Sequence, residues 1–460
     1  MMRSRSLRAL LASTLVVASC SGTASGLTQL PAGTPAPPTS AGAVSSSATP
    51  LAPAEPTQPT QPTPPVVDAV EAAVYLAVGE RDQAPSADAS EIGAQVAGNT
   101  AFALELYDAL RAEPGNLLLS PYSITVALAM TYAGARGTTQ AEMRRVLHFD
   151  AEPDRLHAVL GALELELAAR STEAVRLNVA NQTFGARGTR FEDDFLRTLT
   201  QHYGAPMATL DFATDPETAR QAVNEWAASQ TEERITELFP AGSLDATTAL
   251  VLANAVYLDA KWKFPFDAGG TTDQPFELPD GVTFQVPTMH YNDSLPSATT
   301  ADYEAVELPY DGEALSMVLI EPQDLDRFER KLTPARLQQV LDTITPGGIH
   351  LSLPRFSFRN HHSLKGTLAA MGMASAFGPG ADFSGITGAP NLWIQSAEHD
   401  AFIEVDEEGT EAAAATGMAM AGSHGPTVTI DRPFLFLIRE NETGSILFLG
   451  RVTDPRSAPD

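Results

Sequence analysis

The segment spanning residues 407–416 limits most strongly what this chain can fold into. Its ten residues are Glu407, Glu408, Gly409, Thr410, Glu411, Ala412, Ala413, Ala414, Ala415 and Thr416, between strand-like runs at 401–405 and 433–438. Alanine favours helices, so one interpretation is a short exposed helix or a flexible connector. The other is a segment with two conformations, an exposed loop in one state and an inserted strand in another. Small side chains suit the second interpretation because they enter an existing sheet without overpacking the core beneath it.

Composition bounds the class of protein. With 460 residues, 43% of them hydrophobic, the chain can bury a large core in one big domain or two ordinary ones. Acidic residues outnumber basic ones by 57 to 29, which gives a formal net charge of −28. Such a charge argues against nucleic acid as a partner.

The only cysteine, Cys20, lies at the end of an export signal. A basic start is followed by an apolar stretch at 9–18 that is too short to span a membrane. The ending at 17–20, Val-Ala-Ser-Cys, resembles a bacterial lipobox, in which the cysteine is acylated after cleavage before it. The alternative is an ordinary secretory signal with an incidental cysteine. We predict a signal peptide at 1–19, lipidation of Cys20, and an exported bacterial protein anchored at the cell surface or at the periplasmic or extracellular face of the membrane.

A tether is predicted to follow the signal. Residues 21–65 are dominated by Ser, Thr, Ala, Gly and Pro, a composition that cannot bury enough apolar surface to fold. Residues 66–93 are ambiguous, with a short helix possible at 67–78. We assign 20–94 to the tether and 95–456 to the folded domain.

Helical patterns precede strand patterns within the folded domain. Apolar spacing predicts a first helix with its face at 102–110, a very apolar helix at 121–132, and a third helix at 139–147 in which Thr139 and Glu142 form a capping box. Strands are predicted at 250–258, 305–309, 315–320, 349–353, 392–396, 402–405, 434–439 and 446–452. Helices followed by strands, without regular alternation, indicate an α+β domain.

The sequence contains no convincing catalytic constellation. It has no HExxH helix, GxSxG elbow, phosphate-binding loop or GxGxxG after a strand, so we expect neither an enzyme nor a cofactor or metal site. The adjacent His361 and His362 are interpreted as a solvated polar turn. The acidic run of Glu404, Asp406, Glu407 and Glu408 is interpreted as a solvated strand end rather than a cation site. A surface hydrolase would need the missing constellation, and a solute-binding lipoprotein would lack the alanine-rich segment.

Several segments, read together, resemble the serpin family of serine protease inhibitors. The residues that carry the likeness are Asn-Leu-Leu-Leu-Ser-Pro-Tyr-Ser-Ile at 116–124, the run 250–262, the run 364–386, Arg-Pro-Phe at 432–434 and Phe-Leu-Gly-Arg-Val at 448–452. The likeness extends from about residue 95 to 455, in the family's order. It implies an α+β serpin fold, with a helical N-terminal part packed on three β-sheets and an exposed reactive-centre loop.

The resemblance gives the segment 407–416 a function as the hinge of that loop. A protease attacks the loop and forms an acyl-enzyme, and the cleaved loop then inserts into a sheet with the protease attached, so that stored strain is released by proteolysis. Because side chains alternate along a strand, Thr410, Ala412, Ala414 and Thr416 would face the core, and all four are small. This favours an inhibitor over the alternative, a non-inhibitory serpin acting as a binding or chaperone module.

The resemblance also implies residues that control opening of the sheet. Those of the polar cluster beneath the sheet, the shutter, are Ser120, Ser123, Asn254 and His399. Those at the entry point of the loop, the breach, are Trp262, Arg355 and Glu407, the last two as an ion pair.

The family's spacing from Glu407 places the attacked bond between Ser423 and His424, with Gly422, Ala421 and Met420 as alternatives. No Arg or Lys lies between residues 411 and 429, which argues against trypsin-like targets. Elastase-like or subtilisin-like serine proteases fit best, and the nearby methionines leave a chymotrypsin-like target possible. The expected partner is therefore a serine protease in a covalent acyl complex with a monomer.

Overall fold

The computed structural model of the protein describes residues 73–390, 392–410 and 425–456. The predicted signal peptide, Cys20, most of the tether and residues 411–424 lie outside the described residues. Among the helices of the described part, none is both long and apolar enough to cross a bilayer.

Helices dominate the first half of the described chain and strands the second. The helices are α1 (Ala89–Leu110), α2 (Pro121–Tyr132), α3 (Gly137–Val146), α4 (Pro153–Ala168), α5 (Asp193–Tyr203), α6 (Pro216–Gln230), α7 (Leu325–Glu329), α8 (Pro334–Thr343), α9 (Leu364–Leu368) and α10 (Ser384–Thr387). The strands are β1 (Val74–Leu76), β2 (Leu117–Leu119), β3 (Val175–Ala186), β4 (Met207–Leu210), β5 (Leu250–Lys261), β6 (Thr272–Glu277), β7 (Thr283–Thr299), β8 (Tyr303–Pro309), β9 (Leu315–Pro322), β10 (Thr345–Pro354), β11 (Phe356–Ser363), β12 (Glu398–Val405), β13 (Gly409–Thr410), β14 (Thr427–Thr429), β15 (Phe434–Glu440) and β16 (Ile446–Val452).

A seven-stranded sheet carries the candidate site. Its strand order is β1-β4-β3-β5-β13-β12-β11. The central β5 pairs with β3 along its whole length, from Val175↔Ala260 to Gly185↔Leu250. By contrast, β5 and the parallel β12 pair directly only at Asp400↔Ala255 and Ala401↔Val256. The sheet is therefore continuous on one side of β5 and weakly joined on the other.

A nine-stranded sheet contains the remaining strands, in the order β14-β10-β7-β8-β9-β15-β16-β2 with β6 paired to β7. The family likeness predicts three sheets, whereas the described part of the chain has two. The long strand β7 accounts for the difference, because it pairs with β6, β10 and β8 and so joins two of the expected sheets into one. The α+β architecture, with helices packed on β-sheets, is the one predicted.

The apolar core lies between the helices and the two sheets. Every residue of α2 is buried, which explains why its sequence is apolar all round rather than on one face. A second, smaller cluster lies between α6 and the neighbouring face of β3 and β5, and includes Phe184, Val223, Phe239 and Val251.

The folded structure begins before the predicted boundary at residue 95. Residues 74–76 form an edge strand paired with β4, not the short helix considered from the sequence. The chain then crosses to the helices, where Arg81 forms an ion pair with Glu164 at 3.0 Å. The helix α1 starts at Ala89, where Asp88 and Glu91 form a capping box. Residues 73–94, assigned to the tether, are thus part of the packed domain.

Two predicted local features are wrong for identifiable reasons. The helix α3 begins at Gly137, and Thr139 does not cap it. Instead, the Thr139 hydroxyl accepts from the Asp382 backbone N–H at 2.9 Å, and Glu142 accepts from the Ser375 N–H at 2.9 Å, so both side chains serve a distant segment. Residues 392–396 do not form a strand; Leu392 and Ile394 are buried by packing, and sheet pairing starts with a single bridge at Ala397.

Candidate functional site

The weak junction between β5 and β12, which we call the seam, is the centre of the candidate site. At its lower end, beside the first part of β5, the two sides meet at the bridge Leu252↔Ala397 and at the pairs that involve Asp400 and Ala401. At its upper end, where β5 and β12 finish, the two strands diverge and the short strand β13 lies between them. A third strand has therefore already entered the upper end of the seam.

The strand β13 consists of two residues of the predicted hinge, Gly409 and Thr410. Gly409 and Thr410 pair with Lys261 and Ala260 of β5, and Thr410 also pairs with Val405 of β12. Thr410 is only 2% exposed, and its hydroxyl lies 2.7 Å from the hydroxyl of Tyr310. The inward direction predicted for Thr410 is the one observed. The rest of the hinge, Glu411 to Thr416, lies outside the described residues.

A tight turn brings the chain from β12 into β13. The Asp406 carboxylate accepts from the N–H groups of Glu408 and Gly409 at 2.8 and 3.1 Å, and the Asp406 N–H donates back to the Gly409 carbonyl. A Cβ at Gly409 would lie 2.1 Å from the carbonyl oxygen of Ala260. Only glycine therefore allows the returning strand to approach β5 this closely.

Glu407 is anchored at the top of the seam. Its side chain is 6% exposed and accepts from Arg355 at 2.5 and 2.9 Å. The Thr271 hydroxyl also donates to it. Burial opposes ionisation of Glu407, but the hydrogen bonds from Arg355 and Thr271 outweigh it and hold the pKa below its ordinary value. The interpretation of this acidic run as a solvated strand end is thus wrong for Glu407.

An aromatic pair supports the same turn. Trp262 stacks on Tyr310 with ring centroids 4.6 Å apart and an interplanar angle of 11°. The indole N–H of Trp262 donates to the Asp406 carbonyl at 2.9 Å, and its backbone N–H donates to the Glu408 carbonyl at 2.8 Å. The three predicted breach residues therefore meet around the turn that starts β13.

A series of buried hydrogen bonds crosses the lower end of the seam. His399 of β12 accepts from the Ser120 backbone N–H at 3.0 Å through Nε2, which leaves Nδ1 protonated to donate to Asn254 Oδ1 of β5 at 2.8 Å. Burial lowers the pKa of His399 to about 3, so the neutral imidazole that this arrangement requires is the stable form. The Asn254 amide continues the chain to Ser123 of α2 and to Asn181 of β3.

The structure thus brings the four predicted shutter residues together and adds Asn181 to them. Ser120 takes part through its backbone, and its hydroxyl has no hydrogen-bond partner among the described residues. Asn181, which sequence reasoning missed, lies directly opposite Asn254 in the β3–β5 register. Tyr310 was missed as well. The hydroxyl of a buried tyrosine usually has a hydrogen-bond partner, but the partner of Tyr310, Thr410, is 100 residues away in sequence.

The chain is anchored again after residues 411–424, which lie outside the described ranges. β14 pairs in parallel with β10 at His350↔Thr427 to Ser352↔Thr429. Two residues later the fully buried carboxylate of Glu321 accepts from the backbone N–H groups of Asp431 and Arg432 and from the Arg432 guanidinium at 2.9 Å. The described residues on either side of positions 411–424 are therefore paired with the two sheets. The predicted scissile residues, Met420 to His424, lie outside the described residues.

The adjacent histidines were placed wrongly. His361 and His362 lie in the strand β11, not in a solvated turn. His361 contacts Asp400 and Glu398, whose hydrogen bonds raise its pKa to about 9. His362 is buried against the Leu118 carbonyl. No metal-binding group of three or more His, Cys, Asp or Glu side chains occurs within the described ranges.

Comparison with known proteins agrees with this geometry. The family model described as Serpin (serine protease inhibitor) matches residues 97–455. A protein of Xenopus laevis named leukocyte elastase inhibitor is 38% identical over 353 residues, which cover 74% of this chain and 93% of the frog protein. The human protein of the same name is 38% identical over 377 residues, which cover 78% of this chain and 98% of its own.

Solved structures share the same architecture. The native structure of a thermophilic serpin, tengpin, superposes with a TM-score of 0.74 at 26% identity, over 83% of this chain and 99% of that one. Uncleaved ovalbumin superposes with a TM-score of 0.73 at 27% identity, over 79% of this chain and 100% of its own.

Proposed function

The chain belongs to the serpin family, and we propose that it inhibits serine-type endopeptidases as a single-use substrate. The protease attacks the reactive-centre loop, its catalytic serine forms an ester with the loop carbonyl, and the peptide amine leaves with the C-terminal fragment. The freed N-terminal part of the loop then extends β13 down the seam and carries the acylated protease with it. The protein itself neither turns over nor needs a cofactor in this scheme.

One observation carries the proposal: β13 already occupies the top of the seam in the uncleaved chain. Insertion requires no new entry point, because each further residue adds to a strand that Gly409 and Thr410 have begun. The next inward positions are predicted to be Ala412, Ala414 and Thr416, whose side chains are small enough to cover the core without overpacking it.

The target class follows from the loop sequence and agrees with the names of the relatives. The candidate residues at the cut, Met420, Ala421, Gly422 and Ser423, are small or unbranched, and they suit proteases with shallow, apolar primary pockets. The relatives with 38% identity are named leukocyte elastase inhibitors. We therefore propose elastase-like serine proteases as targets, with subtilisin-like enzymes as the second group.

The test is to incubate the folded domain with pancreatic elastase, subtilisin and trypsin and to look for denaturant-resistant complexes. We expect such complexes with elastase or subtilisin and none with trypsin. Sequencing the released C-terminal fragment locates the cut, expected after Ser423 or within the three residues before it. Cleavage by every protease without a stable complex would contradict the inhibitor and favour a non-inhibitory member.

We further propose that the protein is a lipoprotein of bacterial type, held at the outer face of a membrane by a lipid on Cys20. The support is the lipobox-like ending at 17–20 and the proline-rich composition that follows it. Labelling of the full chain with palmitate in a bacterial host, compared with the Cys20→Ser variant, tests this. Equal labelling of both chains, or secretion of an unlabelled wild-type protein, would count against the anchor.

A further inference from the structure

The first part of the connection between α6 and β5, residues 231–244, packs on β5 and reaches Arg359 of β11, and we call it the covering segment. Three of its apolar side chains, Ile235, Leu238 and Phe239, are fully buried. They pack in the cluster that includes Val251 and Ala253 of β5. The covering segment is therefore fixed to the β5 side of the seam.

The same segment is tied to α6. Asn224 accepts from the backbone N–H groups of Leu238 and Phe239 at 3.1 and 2.8 Å, and donates to the Phe239 carbonyl at 2.9 Å. Arg220 donates to the same carbonyl at 2.7 Å. These buried contacts make the covering segment move with α6 and β5 as one unit.

A charged cluster lies on the opposite side of the seam. Asp400 of β12 is fully buried, and Arg359 of β11 donates to both of its carboxylate oxygens, at 2.8 and 2.6 Å. His361, the residue directly opposite Asp400 in the β11–β12 register, lies 3.4 Å from the same carboxylate. Asp400 also occupies one of the two paired positions of the seam, opposite Ala255.

Arg359 joins the two sides. The nitrogen Nη2 that bonds Asp400 also donates to the backbone carbonyl of Glu237, in the covering segment, at 2.9 Å. A further contact runs in the same direction, because the Arg234 guanidinium of the covering segment lies 5.3 Å from the centre of the Phe402 ring of β12. The Arg359 side chain thus spans the seam on its outer face, while His399 and Asn254 span it on the inner face.

We propose that Arg359, held in place by Asp400, is a second latch on the seam that sets how fast the reactive-centre loop inserts. This inference rests on the proposed insertion mechanism. When a new strand separates β5 from β12, β11 and β12 stay paired, so the Arg359–Asp400 contact persists. The bond to the Glu237 carbonyl joins the two separating sides and must break.

This difference distinguishes a latch from a merely stabilising ion pair. Lysine keeps a positive charge beside Asp400 but lacks the planar guanidinium, in which Nε holds one carboxylate oxygen while Nη2 is directed at the Glu237 carbonyl. Its ammonium is expected to stay on the carboxylate without that fixed direction. The Arg359→Lys variant should therefore keep the buried pair and lose the bond across the seam. Arg359→Met should lose both.

The experiment measures loop insertion in the folded domain by stopped-flow fluorescence, with a probe attached to a cysteine introduced at Ala415, after addition of a protease that cuts the loop. Arg359→Lys should insert about tenfold faster than the wild type, the effect of one hydrogen bond to a charged donor, with little change in thermal unfolding. The matched control, Arg330→Lys, alters an exposed ion pair with Asp326 that touches neither side of the seam, and its insertion rate should be unchanged.

An unchanged insertion rate in Arg359→Lys would overturn the latch. So would a rise matched by an equal rise in the rate of global unfolding, since that would show only a less stable protein. The Arg359→Met variant should insert faster still and unfold more readily. Failure of the proposed function is a separate outcome: the cut wild-type loop would insert, or fail to insert, without any protease being trapped, and the rate comparison would still apply to any insertion observed.

Discussion

The seam and the strands β9, β15 and β16 of the second sheet are held together in different ways. β9 and β15 pair continuously from Leu435↔Ile320 to Glu440↔Leu315, and every residue of β9 is buried. The seam has two directly paired positions and one bridge, and polar or charged side chains join its sides. The apolar ladder cannot open without exposing core, whereas the seam can open by exchanging hydrogen bonds.

This difference teaches which contacts suit a junction that must separate. The stabilisation from apolar burial is proportional to the buried area, and it is lost over the whole contact when two strands part. A hydrogen bond contributes only about 1 kcal/mol net, because its groups find other partners, and an arriving strand supplies such partners. In the proposed mechanism, the polar contacts that His399 and Arg359 make across the seam would hold it closed without making closure permanent.

The largest effect is expected at the hinge. Thr410→Arg places a charge at a position that is 2% exposed and faces the core. Burying that charge would cost several kcal/mol, so insertion should slow by a factor on the order of 100 or more. The protein should turn from an inhibitor into a substrate, measured as loss of denaturant-resistant complex while loop cleavage continues.

The control for the hinge variant is Glu411→Arg, since strand alternation predicts that Glu411 faces away from the core. That variant should retain most of the complex formation. Equal loss in both variants would mean that the segment does not insert with the predicted alternation.

The second sheet should respond in the opposite manner. Phe436→Ala removes a fully buried ring that packs on Phe356 and Phe358 with centroids 5.6 and 6.4 Å away. We expect the free energy of unfolding to fall by about 3–5 kcal/mol, measured by denaturant titration, while the fraction of protease trapped per cleavage stays near the wild-type value. Phe284→Ala, at a position 38% exposed, is the matched control and should cost much less. A strongly lowered trapping efficiency in Phe436→Ala would erase the contrast between the two regions.

The fold was predictable where local sequence and tertiary structure agree. α2 runs from Pro121 to Tyr132 as predicted, because proline fits the first turn of a helix and the apolar residues fit a fully buried one. β7 was missed, because its 17 residues mix polar side chains with prolines and alternate weakly in burial. Thr139 was misread because its hydroxyl serves Asp382, a partner that no local pattern reveals.

The site was predictable in its residues but not in its connections. The likeness to the family indicated Asn254 and His399, yet nothing in the sequence places Asn181 beside them; the β3–β5 register does. Likewise His361 looked like part of a polar turn, although the alternation of Phe356 and Phe358 continues into a strand that places His362 inward and His361 outward. Local sequence patterns do not predict such contacts between residues that are far apart in the sequence.

A smaller effect is expected at the top of the seam. Glu407→Lys removes the acceptor of Arg355 and Thr271 and places a second cation beside Arg355. We expect about 1–3 kcal/mol of lost stability and, on mild heating, loop–sheet polymers visible on native gels. Glu442→Lys, in which an exposed partner of Arg170 is reversed, is the control and should stay monomeric. A Glu407→Lys protein that remains monomeric would indicate that the ion pair does not keep the seam closed.

The smallest effect is expected from the titration of His361. Asp400 and Glu398 hydrogen-bond its imidazolium and raise its pKa from 6.5 to about 9. Because the folded-state pKa lies above the unfolded one, the stabilisation is fully present below pH 6.5 and is lost as the pH rises through 9. Arg359 also faces Asp400, and His362 lies nearby, so the carboxylate keeps one cation when His361 becomes neutral.

The His361 side chain is 38% exposed, so solvent screens its interaction with the carboxylates. The expected loss is therefore modest, a fall in melting temperature of roughly 1–3 °C between pH 7 and 9.5. His361→Gln keeps a hydrogen-bond donor to the carboxylates but cannot titrate, and its melting temperature should change less over the same interval. The difference between the two profiles isolates His361 from the lysines and tyrosines that titrate in both proteins.

Because His361 lies opposite Asp400 but makes no contact across the seam, loop insertion in His361→Gln should stay within about twofold of the wild-type rate, whereas Arg359→Lys changes it. A tenfold acceleration in His361→Gln would mean that the cation which His361 supplies to Asp400, rather than the Arg359 bond to the Glu237 carbonyl, controls the seam.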